Sequence, residues 1–147
     1  MRSYQLYLIK DDIAGHYFGR ERLFFYLFKE YSKASGEMQA IISRQIKYIT
    51  KPISVLRIHQ MILQHLSKQK GFKSGQGEYS LYEKKSQSTA VLKIVNERTL
   101  LVESAGSLEA ETIFFEVLRK IEPSFIAVDL QSNLCGWLKP IKERKFV

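Results

Sequence analysis

Residues 90–104, AVLKIVNERTLLVES, decide the fold class of this 147-residue chain. Apolar and other residues alternate on both sides of Asn96-Glu97-Arg98, a pattern typical of strands with one buried face. A turn at these three residues therefore joins two antiparallel strands. Residues 79–83 alternate in the same way, so we predict an antiparallel meander across this part of the chain.

Three helices are predicted before the meander, because apolar residues recur there at three- and four-residue steps. They cover residues 20–33, 37–50 and 53–67. The buried face of the first should consist of Leu23, Tyr26, Leu27 and Tyr31. The second ends ahead of Pro52, because a proline disfavours helical geometry at the residue before it.

The segments around these helices have other patterns. Residues 4–9 are aromatic and branched, which predicts a strand. Residues 11–19 contain two glycines and are predicted to form a loop. Residues 67–77 are polar and glycine-rich, and we interpret them as a linker.

After the meander, a helix should start at Ser107 and end before Pro123. The Ser107 side chain is predicted to cap it by accepting a bond from a backbone N–H of the first turn. Its apolar face should pack on the sheet through a set that includes Phe114 and Leu118. Strands are predicted over residues 125–130 and 134–138.

The predicted order is β-ααα-βββ-α-β, with the segment at 134–138 as a short last strand. Helices and strands are grouped and do not alternate strictly, which is typical of an α+β fold. We therefore expect a single domain over residues 1–147, with a mixed, mainly antiparallel sheet and about four helices.

Charge and cysteine content indicate the class of binding partner and the cellular compartment. The net charge is +8, and residues 1–70 carry most of it, with 12 Lys/Arg against 5 Asp/Glu. A basic surface favours an anionic partner, such as nucleic acid, acidic lipid or an acidic protein face. The single cysteine, Cys135, favours a reducing compartment. With neither a signal peptide nor a long apolar run in the sequence, we expect a cytoplasmic protein that does not bind membranes.

Catalytic and metal-binding patterns are absent from the sequence. His59 and His65 are six residues apart, which does not place them on one helix face, and no cysteine pair has metal-ligand spacing. Cys135 is predicted to pack beside Trp137 instead of acting as a nucleophile. The glycines at 71–77 lack the spacing of a phosphate-binding loop. We therefore predict no enzyme activity, no cofactor and no metal site.

Two binding hypotheses remain. A nucleic-acid-binding module is one, because basic residues are interleaved with an aromatic in the first half, in the set Arg44, Lys47, Tyr48, Lys51 and Arg57. A protein-binding surface is the other. The segment HYFGR (16–20) places two aromatics and an arginine in a predicted loop, and Tyr and Arg are enriched at interface hot spots. Phe18 is equally suited to capping the core.

Four blocks in register resemble the sporulation inhibitor of replication (SirA) family of endospore-forming bacteria. They are YLIK (7–10) with HYFGRE (16–21), QI (45–46) with YIT (48–50) and PI (52–53), EAETIFFEVL (109–118), and GWL (136–138) with Pro140, KER (142–144) and FV (146–147). The resemblance runs nearly from end to end of the chain. It departs from the family pattern at Ile13, Lys47 and Cys135, where the family can carry an aromatic, a glutamine and a tyrosine.

The resemblance implies that the chain binds the N-terminal domain of the replication initiator DnaA and blocks new rounds of replication at commitment to sporulation. It implies no cofactor, no direct contact with nucleic acid and no obligate homo-oligomer. The family's contact surface comprises the loop after the first strand, the second helix before the proline and a C-terminal proline segment. The expected partner-binding residues are Ile13, Tyr17, Phe18, Arg20, Lys47, Tyr48, Lys51 and Pro140.

Overall fold

The computed structural model describes residues 1–17 and 19–138. Within them the chain forms seven strands and five helices, joined into one α+β domain as predicted. In chain order these are β1 (Arg2–Leu8), α1 (Asp11–His16), α2 (Arg22–Lys33), α3 (Gly36–Ile49), α4 (Val55–Leu66), β2 (Phe72–Gly75), β3 (Glu78–Glu83), β4 (Ser88–Ile94), β5 (Thr99–Ala105), α5 (Glu109–Ile121), β6 (Phe125–Asp129) and β7 (Leu134–Trp137).

The strands form one sheet in the order β2-β3-β4-β5-β1-β6-β7, and every neighbouring pair is antiparallel. The predicted meander is confirmed as β3, β4 and β5, in successive hairpin pairing. β1 comes first in the chain but lies between β5 and β6. The start of the chain is therefore tied into the middle of the sheet.

Helices cover both faces of the sheet, and β1 shows why. Side chains alternate across a strand, so Leu6 and Leu8 face one way and Tyr7 and Ile9 face the other. All four are buried. Leu6 and Leu8 belong to a core with α4 and α5, whereas Tyr7 and Ile9 belong to a second core with α1 and α2. The molecule thus has a helical layer on each side of one sheet.

The larger core confirms the predicted face of α5 and also contains the buried residues of α4. Phe114 and Leu118 of α5 are fully buried against the sheet, as are Ile58 and Ile62 of α4. Each such side chain contributes roughly 1.5–3 kcal/mol on leaving water. This packing fixes α5 as a structural element.

The prediction for the buried face of α2 is wrong. Its buried residues are Phe24, Phe25 and Phe28, and the side chains of Leu23 and Tyr26 are 51% and 54% exposed. The second core is built from aromatic stacking, with the Phe28 ring 4.0 Å from that of Tyr7 on β1. Because α2 is apolar around most of its circumference, tertiary packing and not periodicity selects the face.

Two segments predicted to be irregular are regular. Residues 11–16, predicted to form a loop, form α1 instead. Asp11 and Asp12 lie at the positive end of this helix, and Ala14 is its buried residue. Residues 72–75, assigned to a linker, form β2 at one edge of the sheet. Gly71 permits this pairing because any side chain there would collide with the Tyr82 carbonyl of β3. The observed order is therefore β-αααα-ββββ-α-ββ.

The predicted cap of α5 is also wrong. The helix begins at Glu109, and Leu108 at the N-cap position makes no side-chain cap bond. Ser88 of β4, which is fully buried, supplies the acceptor instead, and its Oγ accepts from the Ala110 N–H at 3.2 Å. A strand side chain therefore satisfies one of the unpaired N–H groups of the first turn.

A partly buried ion pair between Arg2 and Glu111 anchors α5 to the start of β1. Glu111 is 2% exposed, and its Oε1 accepts from Arg2 Nε at 2.6 Å and from Ser104 Oγ at 2.9 Å. Tyr4 lies beside this carboxylate. Burial, followed by its bond to Glu111, raises the pKa of Tyr4 to about 12. Glu111 is thus part of the packed fold.

Candidate protein-binding surface

A short backbone junction joins the exit of β1 to the end of α3. Ile9 and Thr50 form an antiparallel bridge. On either side of it, the Lys10 N–H donates to the Ile49 carbonyl at 2.9 Å and the Lys51 N–H donates to the Leu8 carbonyl at 2.8 Å. Two segments about 40 residues apart in sequence are therefore joined here. The first leads into the predicted contacts at Ile13 and Tyr17, and the second carries the predicted contacts Tyr48 and Lys51.

Tyr48 stands out at this junction. Its side chain is 71% exposed, and Lys10 Nζ lies 4.7 Å from the centre of its ring. A cation over an aromatic face is attracted to the ring, which favours one orientation of both side chains. A large apolar surface is therefore presented to solvent in a basic setting.

Lys51 is committed to internal ion pairs. Its Nζ lies 3.3 Å from Asp11 Oδ1 at the start of α1 and 3.6 Å from Glu122 Oε2 just after α5. Its positive charge is partly neutralised there. Lys51 therefore links three elements at the junction and is less available to a partner than the sequence suggested.

The second part of the surface is the turn between α1 and α2. Tyr17 is half-buried, with its ring edge-on to Phe24 at 5.6 Å. Arg20 is exposed, and its guanidinium lies 5.5 Å from the centre of the Tyr17 ring. Ile13 packs against the second core and contributes only a half-buried side chain. Phe18 lies outside the described residues.

α1 separates the two parts of the surface. It has six residues, which corresponds to a length of about 9 Å. The Lys51–Asp11 contact lies at one end of this helix and Tyr17 follows the other. Tyr48 and Lys10 therefore lie at one end of α1, and Tyr17 and Arg20 lie at the other. We call these four residues the α1 surface.

The turn is braced from β7. Trp137 packs edge-on against Phe24 at 5.8 Å, and its Nε1 donates to Glu21 Oε1 at 3.1 Å. The Gly19 N–H donates to the same oxygen at 3.1 Å. Burial alone would raise the pKa of Glu21, but hydrogen bonds from its own backbone, Trp137 and Gly19 outweigh burial and lower it. The carboxylate therefore holds the turn in place.

Pro140, the remaining predicted contact, lies outside the described residues. It follows Trp137 by three positions in the sequence. Its place in the surface remains a prediction.

Lys47 is near Tyr48 in the chain but lines a different feature. Successive helical residues point about 100° apart. Lys47 is exposed at the rim of a pocket of about 310 Å³ between α2, α3 and the β4–β5 turn. The structure therefore does not place all the predicted residues in one patch.

Sequence reasoning missed Lys10, Asp11 and Glu21. Lys10 orients Tyr48, Asp11 pairs with Lys51, and Glu21 bonds to Trp137. Each role depends on a contact between distant segments. No local spacing in the sequence signals any of them.

Across residues 1–17 and 19–138, no group of three or more His, Cys, Asp or Glu side chains is arranged to hold a metal ion. Cys135 is half-buried and lies in the core near Trp137, as predicted. Burial raises the pKa of its thiol, which opposes the thiolate form that reactive cysteines need. In the same part of the chain, no helix is long and apolar enough to cross a membrane.

Fold and surface together define an α+β protein that presents exposed tyrosine and basic side chains along a short helix. The family described as "Sporulation inhibitor of replication protein SirA" matches residues 2–142. A protein of Bacillus subtilis (strain 168) with the same name is 43% identical over 148 aligned positions, which cover 99% of each chain. The chain belongs to the SirA family, which confirms the resemblance identified in the sequence.

Proposed function

We propose that this protein inhibits the initiation of DNA replication by binding the N-terminal domain of the initiator DnaA, in the cytoplasm, as the cell commits to sporulation. The carrying observation is the family match over nearly the whole chain, together with a relative named for inhibiting replication. The partner itself comes from the resemblance to the family.

The α1 surface has the chemistry that such binding needs. An exposed Tyr48 held under Lys10 offers a large contact area that is already ordered before binding. Pre-ordering lowers the entropy lost on association. Buried tyrosines and arginines supply much of the energy of typical interfaces. A complementary partner surface has an apolar recess for the ring, rimmed by carboxylates.

Inhibition on this proposal is steric. The bound protein occupies a surface that the initiator uses for self-assembly or for another partner, and no covalent bond changes. The basic first half of the chain speeds the encounter with an acidic surface. This attraction is screened by salt, whereas burial of the tyrosines is much less affected.

The proposal is tested with variants of the α1 surface. Tyr48→Ala should weaken binding to the initiator domain by about 2 kcal/mol, roughly thirtyfold, if the ring is an interface hot spot. Its exposure leaves little internal packing to lose, so thermal stability should stay unchanged. Tyr82→Ala is the matched control, because this ring is 48% exposed on β3, next to the edge strand β2 and away from α1.

Tyr17→Ala and Pro140→Ala extend the test to the turn and to the C-terminal segment. Both variants should weaken binding. A thermal melt of each shows whether it is folded, which matters most for Tyr17→Ala because Tyr17 also packs on Phe24. If Tyr17→Ala, Tyr48→Ala and Pro140→Ala all bind with normal affinity while folded, the proposed contact surface is wrong.

A further inference from the structure

A groove of about 240 Å³ lies beside α5 on the same face of the sheet, and we call it the β7 groove. Its floor consists of two small residues that pair across neighbouring strands, Ala127 of β6 and Gly136 of β7. One wall is the ring pair of Tyr4 and Phe115, which pack edge-on with their centres 5.3 Å apart. α5 packs over β3, β4 and β5, so the groove lies beyond the helix.

The absence of a side chain at Gly136 keeps the floor low. Residues that face each other in antiparallel strands project their side chains to the same side of the sheet. Because Ala127 faces the core of α4 and α5, a side chain at position 136 would point into the groove. A Cβ built there meets no atom within 4 Å, and the backbone of Gly136 does not have a positive φ. A larger residue at this position therefore fills the groove without straining the strand.

A single carboxylate lies in this apolar setting. Asp129, at the end of β6, lines the groove and is 4% exposed. The Ser132 N–H donates to its Oδ1 at 3.1 Å. None of the ion pairs formed among residues 1–17 and 19–138 includes Asp129. Because a buried charge is costly unless it is paired, the groove favours an occupant that is both apolar and cationic.

The chain itself supplies such a segment. Leu138 lines the groove, and its N–H donates to the Phe125 carbonyl at 3.0 Å. The residues that follow are KPIKERKFV (139–147), with four Lys/Arg against one Glu and with apolar side chains at 141, 146 and 147. From Phe125 to Asp129 the distance along β6 is roughly 13 Å. A segment of this length spans up to about 30 Å when extended, so it reaches the whole groove even after a turn.

We propose that residues 139–147 fold back over the β7 groove, with an apolar side chain above Gly136 and a cation beside Asp129. Proline is favoured at the second position of a β-turn, so a turn that starts at Lys139 reverses the chain at Pro140. A cavity of about 150 Å³ accommodates a benzene ring, so the groove has room for the ring of Phe146. The inference does not rest on the proposed function.

Nuclear Overhauser effects in the full-length, ¹³C,¹⁵N-labelled protein measure this docking directly. Cross-peaks are expected between the ring protons of Tyr4 or Phe115 and an apolar side chain of residues 139–147. Asp129→Asn keeps an acceptor for the Ser132 N–H but removes the charge, so it should lower the intensity of these cross-peaks.

Two glycine variants show whether the cross-peaks depend on the groove. Gly136→Val should abolish them, because the valine side chain occupies the floor and a branched residue suits a strand. Gly75→Val is the matched control. Gly75 lies in β2 at the opposite edge of the sheet, and a Cβ there also meets no atom within 4 Å. This variant should keep the cross-peaks at full intensity.

Three results would overturn the proposal, and the first needs no variant. The folded wild-type protein shows no cross-peak between the groove and residues 139–147. The cross-peaks arise only between differently labelled copies in a mixed sample, which identifies a second copy as the occupant. The cross-peaks persist in a folded Gly136→Val protein. Calorimetry with the initiator domain tests the proposed function separately, so either proposal fails without the other.

Discussion

Replacing Ser88 by alanine tests whether a strand residue caps α5. In the structure, Ser88 Oγ accepts the Ala110 N–H at 3.2 Å, and both residues are fully buried. The alanine variant leaves that N–H without an acceptor in a place that water does not reach. Loss of a cap costs about 0.5–2 kcal/mol, and a buried unpaired donor about 1–3 kcal/mol. We expect Ser88→Ala to lower the free energy of unfolding by about 2 kcal/mol.

Ser107→Ala is the matched control. The sequence predicts Ser107 as the cap, but its side chain makes no cap bond and is exposed. What it does contribute is a backbone carbonyl, which accepts from Arg2 Nη2 at 3.0 Å and survives the substitution. Ser107→Ala should therefore lower the free energy of unfolding by no more than about 0.5 kcal/mol.

Urea unfolding followed by circular dichroism measures both variants, and unchanged m-values license a direct comparison. For a chain of this size, about 2 kcal/mol corresponds to a fall of about 4–8 °C in Tm. A normal Ser88→Ala protein beside a destabilised Ser107→Ala protein would refute the capping argument.

Three further outcomes follow from the core and its turns. Phe114→Ala, at a fully buried position on α5, should cost about 3–5 kcal/mol in urea unfolding. Gly106→Ala should destabilise the fold by more than about 1 kcal/mol, because φ is +82° and a Cβ would collide with the Gln87 carbonyl. Burial raises the pKa of Tyr7 to about 12, whereas an unfolded tyrosine ionises near 10, so its contribution to stability is complete below pH 10 and lost as pH rises to 12. Tyr7→Phe should flatten that decline in alkaline melts.

Periodicity predicted most of the sheet and the positions of four helices, α2 to α5, because their patterns are clear. β4 and β5 alternate cleanly, and the face of α5 is apolar on one side only. Only the buried face of α2 was predicted wrongly, because Leu23 and Tyr26 repeat as regularly as Phe24 and Phe28. Packing against β1 decides between these two sets.

α1 and β2 were not predicted, because the glycines in and near them are typical of loops. Gly15 and Gly19 suggested a loop, yet α1 is held by a buried Ala14 and acidic first-turn residues. Gly71 suggested a linker, although its role is to permit close approach of β2 to β3. In both cases glycine serves a neighbouring turn or contact and does not interrupt the element.

The candidate surface was predictable only in part. The family resemblance supplied Tyr17, Lys47 and Tyr48, and family membership is confirmed. Their arrangement depends on the Ile9–Thr50 bridge. This bridge joins distant segments, and no sequence pattern in either segment predicts it. The bridge also explains why Lys10 lies beside Tyr48. Lys47 lines the pocket because successive helical residues point about 100° apart.

The central claim is that this protein acts by binding the initiator. Calorimetric titration of the full chain with the N-terminal domain of its cognate DnaA, beside an origin-DNA control, tests it most directly. The account predicts saturable binding to the domain and no binding to DNA. Binding to DNA alone, with the steep salt dependence of phosphate contacts, would contradict the account and assign the basic face to nucleic acid.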